Sequence, residues 1–467
     1  MKIKLILAAS EFDPLKKNEP FMPLSLPLLA ATAPEHDYIF INMLSSDKID
    51  YNEPVDLVGI SSRITSEKTA YKIADEFRKR NIKVVMGGPQ ISVMPFAAIK
   101  HADSVVVGEG EELWPVLLKD CMNNKLKNFY VSSPNKFEAK YYTVHQNFSY
   151  VNLKNIPHAA RYLFKKKYAF DTIFAVRGCS NDCDFCSVPS IFGKKPRFRP
   201  VDDVVNEINT FKSFFYYLLD DNIFGKSSYY DYYIELYEKL AKLKKIRYWT
   251  GQATLEAAAS DKGREVIKKA VKAGLIYAAI GLESINPVVQ KKSGAINKMG
   301  VKNKDFITAM KENIKFIQNL GIVVTGWFTI GYEEDSVETF YKTLDFCKEN
   351  NVIPVINALE ALPGTKLYNR LLKENKIDNK KRINIKHPGM TDEDIIDTLK
   401  DITKKAYSLK SMIKNTLFYS KRFTGNHKSK NKSIYEKIYK TIFSFILQTK
   451  LKKGVISYVN DETFLKQ

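Results

Sequence analysis

The sequence predicts an α/β chain with two successive parallel sheets and a helical C-terminal region. Three observations carry this. Continuous Val/Ile runs alternate with amphipathic stretches over the first 125 residues. A second series of six strand-and-helix units follows, and beyond residue 365 the pattern turns helical and basic. With 467 residues, 45% apolar and 27% charged, the chain has ample material for more than one core, which excludes global disorder.

The first strand spans the start KIKLILAAS. It begins with basic residues, but its apolar run, residues 5–9, is shorter than a signal-peptide core. Further strands are expected at YIFINML, VDLVGISS, IKVVMGG and SVVVGEGE, with amphipathic segments at 66–81 and 96–101. This order reads as a Rossmann-like domain over 1–125, with a ligand held at the carboxyl ends of the strands. Those ends are Ser61, Ser62, Arg63 and Thr65; Gly87, Gly88 and Pro89; and Gly108, Glu109, Gly110 and Glu111. Small residues there let a large flat ligand approach the backbone; tight βα turns alone would also use them.

Residues 126–168 lose the period, become rich in Asn, Lys and Tyr, and read as a linker. Strands follow at 172–176, 215–219, 247–254, 276–282, 322–330 and 352–362, with helices at 201–212, 230–245, 262–273, 304–320 and 336–350. Six such units predict a partial (β/α)6 barrel over 169–365, whose site lies at the strand C-termini. A helical basic region, 366–467, completes the chain.

Three of the five cysteines, Cys179, Cys183 and Cys186, sit within one loop after the first barrel strand, spaced C-x3-C-x2-C. This is ligand spacing in a reduced compartment, unlike a disulfide framework. Three thiolates can hold three irons of a [4Fe–4S] cluster and leave the fourth open. A structural zinc needs a fourth ligand, and none lies near in sequence: Cys121, Cys347 and His158 are all distant.

The motif resembles that of radical S-adenosylmethionine (SAM) enzymes, and the resemblance to their cobalamin-binding class, the hopanoid methylase-like group, covers about residues 1–375. It implies that the open iron chelates SAM and that a 5′-deoxyadenosyl radical is made there. Phe185 then stands where the family places an aromatic near the adenine. Leu219-Asp220-Asp221-Asn222 replaces the usual Gly-Gly-Glu that binds the SAM ammonium, so Asp220 and Asp221 are expected there; an Asp-Asn turn is the structural alternative. By the same resemblance Gln252, Glu283 and Ser284 face SAM, and Gly331 ends an adenine-contacting strand. The first domain would bind cobalamin at the strand ends named above. No histidine follows an Asp by two residues, so the Asp-x-His-x-x-Gly signature of base-off, histidine-ligated cobalamin is missing.

The function this implies is methylation of an unactivated carbon of a small-molecule or lipid-like substrate, with [4Fe–4S], SAM and cobalamin as cofactors and flavodoxin or ferredoxin as electron donor. Cobalamin-assisted cyclisation or rearrangement is the alternative enzyme reading, and a noncatalytic iron–sulfur protein the alternative outside enzymology. Methylthiotransferases would need further clustered cysteines in the first domain, where Cys121 stands alone.

The net charge of +21 gathers in the tail: between Lys404 and Lys453 fourteen Lys/Arg accompany one acid, Glu436. Ile434, Tyr435, Ile438, Tyr439, Ile442, Phe443, Ile446 and Leu447 recur at helical spacing with basic flanks at 421–422, 428–432 and 450–453. They predict one amphipathic face, for a membrane surface or for docking on the barrel. Nucleic acid is not expected, because no binding motif accompanies the charge. No run approaches the roughly 18 apolar residues of a spanning helix, so a cytoplasmic enzyme with peripheral membrane association is expected.

Overall fold

The computed structural model describes residues 1–10, 19–164, 166–245, 247–301, 305–378, 383–423 and 430–459; side chains are described for all of these but 430–436 and 458–459. Two compact units divide the chain: residues 1–172 with 188–200, and 173–187 with 201–467.

The first unit holds a seven-stranded sheet of order β2-β1-β3-β4-β5-β6-β7. Its strands are β1 (Lys2–Leu7), β2 (Asp37–Asn42), β3 (Leu57–Ser61), β4 (Lys83–Gly87), β5 (Ser104–Gly108), β6 (Phe129–Ser132) and β7 (Val144–Asn147), and every pair is parallel. All five predicted strands form. The continuous apolar runs are explained by burial on both faces: Ile6, Val58, Ile60, Val84 and Met86 pack on one side, and Ile3, Leu5, Leu57 and Val85 on the other. Helices α1 (Ser25–Thr32), α2 (Glu67–Arg78) and α3 (Leu113–Met122) cover the faces. The order reverses at β1/β3, so the carboxyl ends there open a crevice.

The stretch read as a linker is not one. Residues 126–168 carry β6 and β7, two four-residue strands that extend the sheet, and belong to the first unit. They were hidden because each is only four residues long, too short to show a period.

A second sheet has six strands in the order β13-β12-β11-β10-β9-β8, of which β9 to β13 lie in the second unit. They are β8 (Phe170–Ile173), β9 (Phe215–Leu218), β10 (Tyr248–Ala253), β11 (Leu275–Glu283), β12 (Val323–Ile330) and β13 (Ile353–Ala358), with β9 to β13 paired parallel. Helices α4 (Val201–Asn209), α5 (Tyr230–Ala241), α6 (Asp261–Lys272), α7 (Phe306–Asn319) and α8 (Val337–Glu349) fill the gaps as predicted. This is the expected open (β/α)6 barrel. The region beyond residue 365 forms α9 (Lys366–Lys373), α10 (Asp392–Ala406), α11 (Leu409–Ser420) and α12 (Lys430–Val459), and it clusters with the barrel in one unit instead of standing apart. Among the described residues no helix is long and apolar enough to cross a membrane.

Candidate functional site

The cysteine loop follows the first barrel strand and is braced from outside. The Asp184 N–H donates to the Ser293 carbonyl (2.9 Å), and the Leu367 N–H donates to the Asp184 carbonyl (2.9 Å). The Tyr332 hydroxyl donates to Asp184 Oδ1 at 2.7 Å, and Asp182 pairs with Lys366. These contacts brace the loop against the rest of the unit. Cys183 is buried and Cys179 and Cys186 are half-buried.

Lys298 is near enough to all three thiols to act on them electrostatically. Lys298 Nζ lies 2.8 Å from Glu283 Oε1 and 5.5 Å from the centre of the Phe185 ring. Burial works against the Lys298 charge, but Glu283 and the Cys183 and Cys186 thiols together hold its pKa above the ordinary lysine value. Burial likewise pushes the Cys179 and Cys183 thiols up, and Lys298 pulls them back.

Among the described residues no three His, Cys, Asp or Glu side chains close on a single metal ion. Three cysteine thiols on one loop are the donor set that a polynuclear cluster asks for, since each of three irons takes one thiolate.

Glu283 reaches Lys298 through a local distortion. It sits at the end of β11 with φ +58°, where only glycine is at ease, and the β11–β12 register shifts between Gly281 and Glu283. A β-carbon at Gly281 would lie 2.5 Å from Glu283 Oε1, so the folded-back carboxylate requires the glycine. Such strain at a strand C-terminus points to a functional site. Gly281→Ala should fold, since only a flexible side-chain end obstructs it, yet displace Glu283 from Lys298. SAM affinity by equilibrium dialysis should drop, and the melting temperature should fall with it, because the buried Lys298–Glu283 pair is broken.

The two aspartates after β9 divide their work. Asp220 is buried, and its Oδ1 accepts from the Ala175 and Val176 N–H groups (2.7 and 3.0 Å) while Oδ2 accepts from the Tyr233 hydroxyl (3.0 Å). It ties the strand before the cysteine loop to β9. Burial pushes its pKa up to about 7 against those three donors. Asp221 is half-buried. Burial raises its pKa to about 6, opposed by Lys298 and the Gly178 N–H. Asn222 makes the turn, bonding the Phe224 N–H, the Gly225 carbonyl and the Thr254 hydroxyl. The turn alternative thus holds for Asn222, and Asp221 is the carboxylate left on the loop side.

Residues 173–347 match the Radical SAM superfamily. This part of the chain is a radical SAM domain. It is 29% identical over 371 residues, 76% of this chain and 77% of the relative, to bacteriochlorophyllide d C-8(2)-methyltransferase of Chlorobaculum tepidum. It is 24% identical over 256 residues, 53% of this chain and 46% of the relative, to hopanoid C-2 methylase of Rhodopseudomonas palustris. The fold is shared with the cobalamin-dependent S-adenosylmethionine radical enzyme OxsB, solved with aqua-cobalamin and S-adenosylmethionine bound: TM-score 0.66, 16% identity, 96% of this chain and 72% of that one.

Within the radical SAM domain, the structure places the other expected SAM residues unequally. Phe185 is half-buried on the cysteine loop beneath Lys298. Gln252 projects from β10 into solvent and bonds the Tyr217 hydroxyl. Ser284 is buried; its hydroxyl accepts from the Asn286 N–H (3.0 Å), a turn bond. The Gly331 N–H is engaged by Asp335 Oδ2 (2.9 Å). Asp220 and Ser284 thus both engage protein partners.

The first-unit residues also sort themselves. Glu109, expected to face a ligand, turns inward instead: it is 3% exposed, accepts from both Arg197 Nη groups (2.8 and 3.0 Å) and from the Val151 N–H (3.1 Å). Ser62 and Glu111 are buried. Ser61, Arg63, Gly87, Gly88, Gly108 and Gly110 are half-buried, and Thr65 and Pro89 are exposed. Gly88 and Gly108 have φ +100° and +84°, and a β-carbon would meet the Ser62 carbonyl at 2.7 Å or the Ser132 carbonyl at 2.4 Å. The fold's own turns require these two glycines.

Lys298 is the residue that sequence reasoning missed. It stands among Lys291, Lys292 and the lysines of 302–304, and nothing in its spacing marks it. The brace Tyr332 was missed likewise.

Proposed function

We propose that the chain is a radical SAM methyltransferase that uses cobalamin to methylate an unactivated carbon. The observation that carries this is the cysteine loop with Lys298 and Asp221 beside it, in a chain similar over three quarters of its length to a bacteriochlorophyllide methyltransferase. When bound, the cluster and SAM supply a 5′-deoxyadenosyl radical and cobalamin supplies a methyl group. In this reading Cys179, Cys183 and Cys186 hold the cluster. Asp221 offers its charge to the SAM ammonium, and Phe185 and Gln252 pack beside the nucleoside. Lys298 stabilises the thiolates and is itself held by Glu283. The strand ends of the first unit, Ser61 to Thr65, Gly87 to Pro89 and Gly108 with Gly110, receive cobalamin. A flavodoxin or ferredoxin delivers the electron, the substrate is a small or lipid-like molecule, and the basic C-terminal region makes a peripheral membrane contact.

The test is anaerobic reconstitution with iron, sulfide and cobalamin, followed by assay with SAM and a reductant. 5′-Deoxyadenosine is expected, and its absence would leave a noncatalytic iron–sulfur protein. S-adenosylhomocysteine is expected on turnover; its absence beside 5′-deoxyadenosine would favour cyclisation or rearrangement.

Two finer expectations follow from the geometry. Asp221→Asn keeps the shape and removes the charge, so SAM binding should weaken by about 1–3 kcal/mol, the value of a charge-assisted hydrogen bond. Asp220→Asn should instead change chiefly the melting temperature. Equal SAM affinity in wild type and Asp221→Asn would remove that role. For cobalamin, substitution of Gly88 or Gly108 would strain the backbone whether or not a ligand binds, so the informative positions are the exposed Ile64 and Thr65. Ile64→Trp and Thr65→Trp fill space above the β3 end, and cobalamin retained after gel filtration should fall while iron content holds.

A further inference from the structure

The last two helices bury polar groups and expose apolar ones. Helices α11 and α12 pack on each other, and a polar network is buried with them beside Met412 and Tyr419. Gln448 Nε2 donates to the Met412 carbonyl (3.2 Å) and to Thr416 Oγ1 (3.0 Å), and Asn415 Nδ2 donates to Gln448 Oε1 (3.2 Å). Ser444 and Gln448 are fully buried. Outside, Leu409, Ile413 and Leu417 on α11 and Ile438, Ile442 and Ile446 on α12 are each between 45% and 64% exposed. Both sets repeat every four residues, so each helix presents one apolar stripe. Helices facing water carry the opposite arrangement. The predicted single face is thereby corrected: Tyr439 and Phe443 turn inward and stack on Phe215 (5.6 and 5.7 Å), while the isoleucines turn outward. The side chains of Ile434 and Tyr435 lie outside the described residues.

Two further features match an apolar surrounding for these stripes. Thr441 and Thr449 on α12 turn their hydroxyls back onto the Lys437 and Phe445 carbonyls (2.8 and 3.0 Å), which satisfies those hydroxyls within the helix without water. The flanking charge has one sign: Lys410, Lys414, Lys421, Lys437, Lys450 and Lys453 are exposed, and between residues 409 and 459 the only acid is Glu436. A second copy of this chain would bring like charges together, whereas an anionic surface would neutralise them.

We infer that the outer face of α11 and α12 seats on an anionic lipid surface, its apolar stripes entering the headgroup boundary and its lysines meeting lipid phosphates. The face lies at the barrel end remote from the cysteine loop. Tyr439 and Phe443 pack on Phe215 at the start of β9, Tyr407 of α10 donates to the Pro354 carbonyl at the start of β13 (2.6 Å), and Tyr419 of α11 donates to the Val324 carbonyl at the start of β12 (3.3 Å). It therefore anchors the enzyme and leaves the strand C-termini free. This deepens the peripheral contact of the proposed function but does not depend on methyl transfer.

The experiment is cosedimentation of the full-length, cluster-loaded protein with phosphatidylcholine vesicles with and without phosphatidylglycerol. Binding is expected to the anionic vesicles and should weaken as salt is raised. Ile413→Ser with Ile442→Ser and Ile446→Ser should weaken it at least about tenfold, with iron content and 5′-deoxyadenosine formation unchanged. Lys410→Gln with Lys414→Gln and Lys450→Gln, all at exposed positions, should weaken binding to anionic vesicles and remove its salt dependence. No binding by the wild type, or binding by either variant equal to wild type, overturns the inference. So does a lipid-free dimer that the isoleucine variant converts to monomer, because the face would then join two copies. Since 5′-deoxyadenosine and S-adenosylhomocysteine are read without vesicles, failure of the methyltransferase reading is separately visible.

Discussion

Replacing any one of Cys179, Cys183 and Cys186 with alanine should abolish 5′-deoxyadenosine formation and remove most of the bound iron, about four atoms per chain in the loaded protein. No other cysteine lies on the loop to replace the one lost. The other two cysteines serve as internal controls. Cys121 is buried in the core of the first unit beside Trp114 and Leu117, and Cys347 is buried on α8. Burial pushes both thiols up, which keeps them protonated and inert. Cys121→Ala and Cys347→Ala should therefore leave iron content and the charge-transfer absorbance of the cluster unchanged. If either halves the iron, a second cluster exists and the assignment of ligands is wrong. The fold should survive the loop substitutions, because Asp184, Ser293, Tyr332 and Leu367 hold the loop by hydrogen bonds that need no metal.

What the sequence made legible follows from which forces are periodic. A strand buried on both faces must be apolar at every position, so LVGIS and KVVMG announce themselves, and so do helices whose apolar positions recur every three or four residues, as in α6 and α8. The cysteine triplet was legible because iron–sulfur chemistry demands that residue type at close spacing. Other features depend on tertiary contact alone. β6 and β7 read as linker because four-residue strands carry too little pattern, whether buried like β6 or at the sheet edge like β7. Nothing local distinguishes Asp220 from Asp221; what separates them is that Ala175, Val176 and Tyr233 reach the first and Lys298 the second. Glu109 looked free at a strand end and is claimed by Arg197, eighty-eight residues away. In the tail, periodicity located the helix but not which side faced the barrel, since Tyr439 and Ile438 are equally eligible until Phe215 is in place.

The largest effect outside the cysteines is expected at Lys298. Lys298→Met leaves Glu283 buried, in a left-handed conformation and without its partner. Removing one member of such a pair costs about 3–5 kcal/mol, because the surviving charge keeps its desolvation penalty. The melting temperature should fall accordingly. Glu283→Gln alone should cost less in stability, since its amide can still accept from the ammonium, and Lys298→Met with Glu283→Gln should recover most of the stability lost in Lys298→Met. Function should not recover with it. The double variant lacks the cation whose field favours the Cys179 and Cys183 thiolates and balances Asp221, so cluster incorporation and SAM affinity should stay low while the melting temperature returns. The pH dependence has a definite sign. Because the Lys298 pKa is held above its ordinary value in the fold, its contribution is complete at and below the ordinary lysine range and is lost only as pH rises above it. The gap in melting temperature between wild type and Lys298→Met should therefore be flat from pH 6 to pH 9. A gap that closes within that window, or a double variant that regains SAM binding together with stability, would reduce Lys298 to a packing residue.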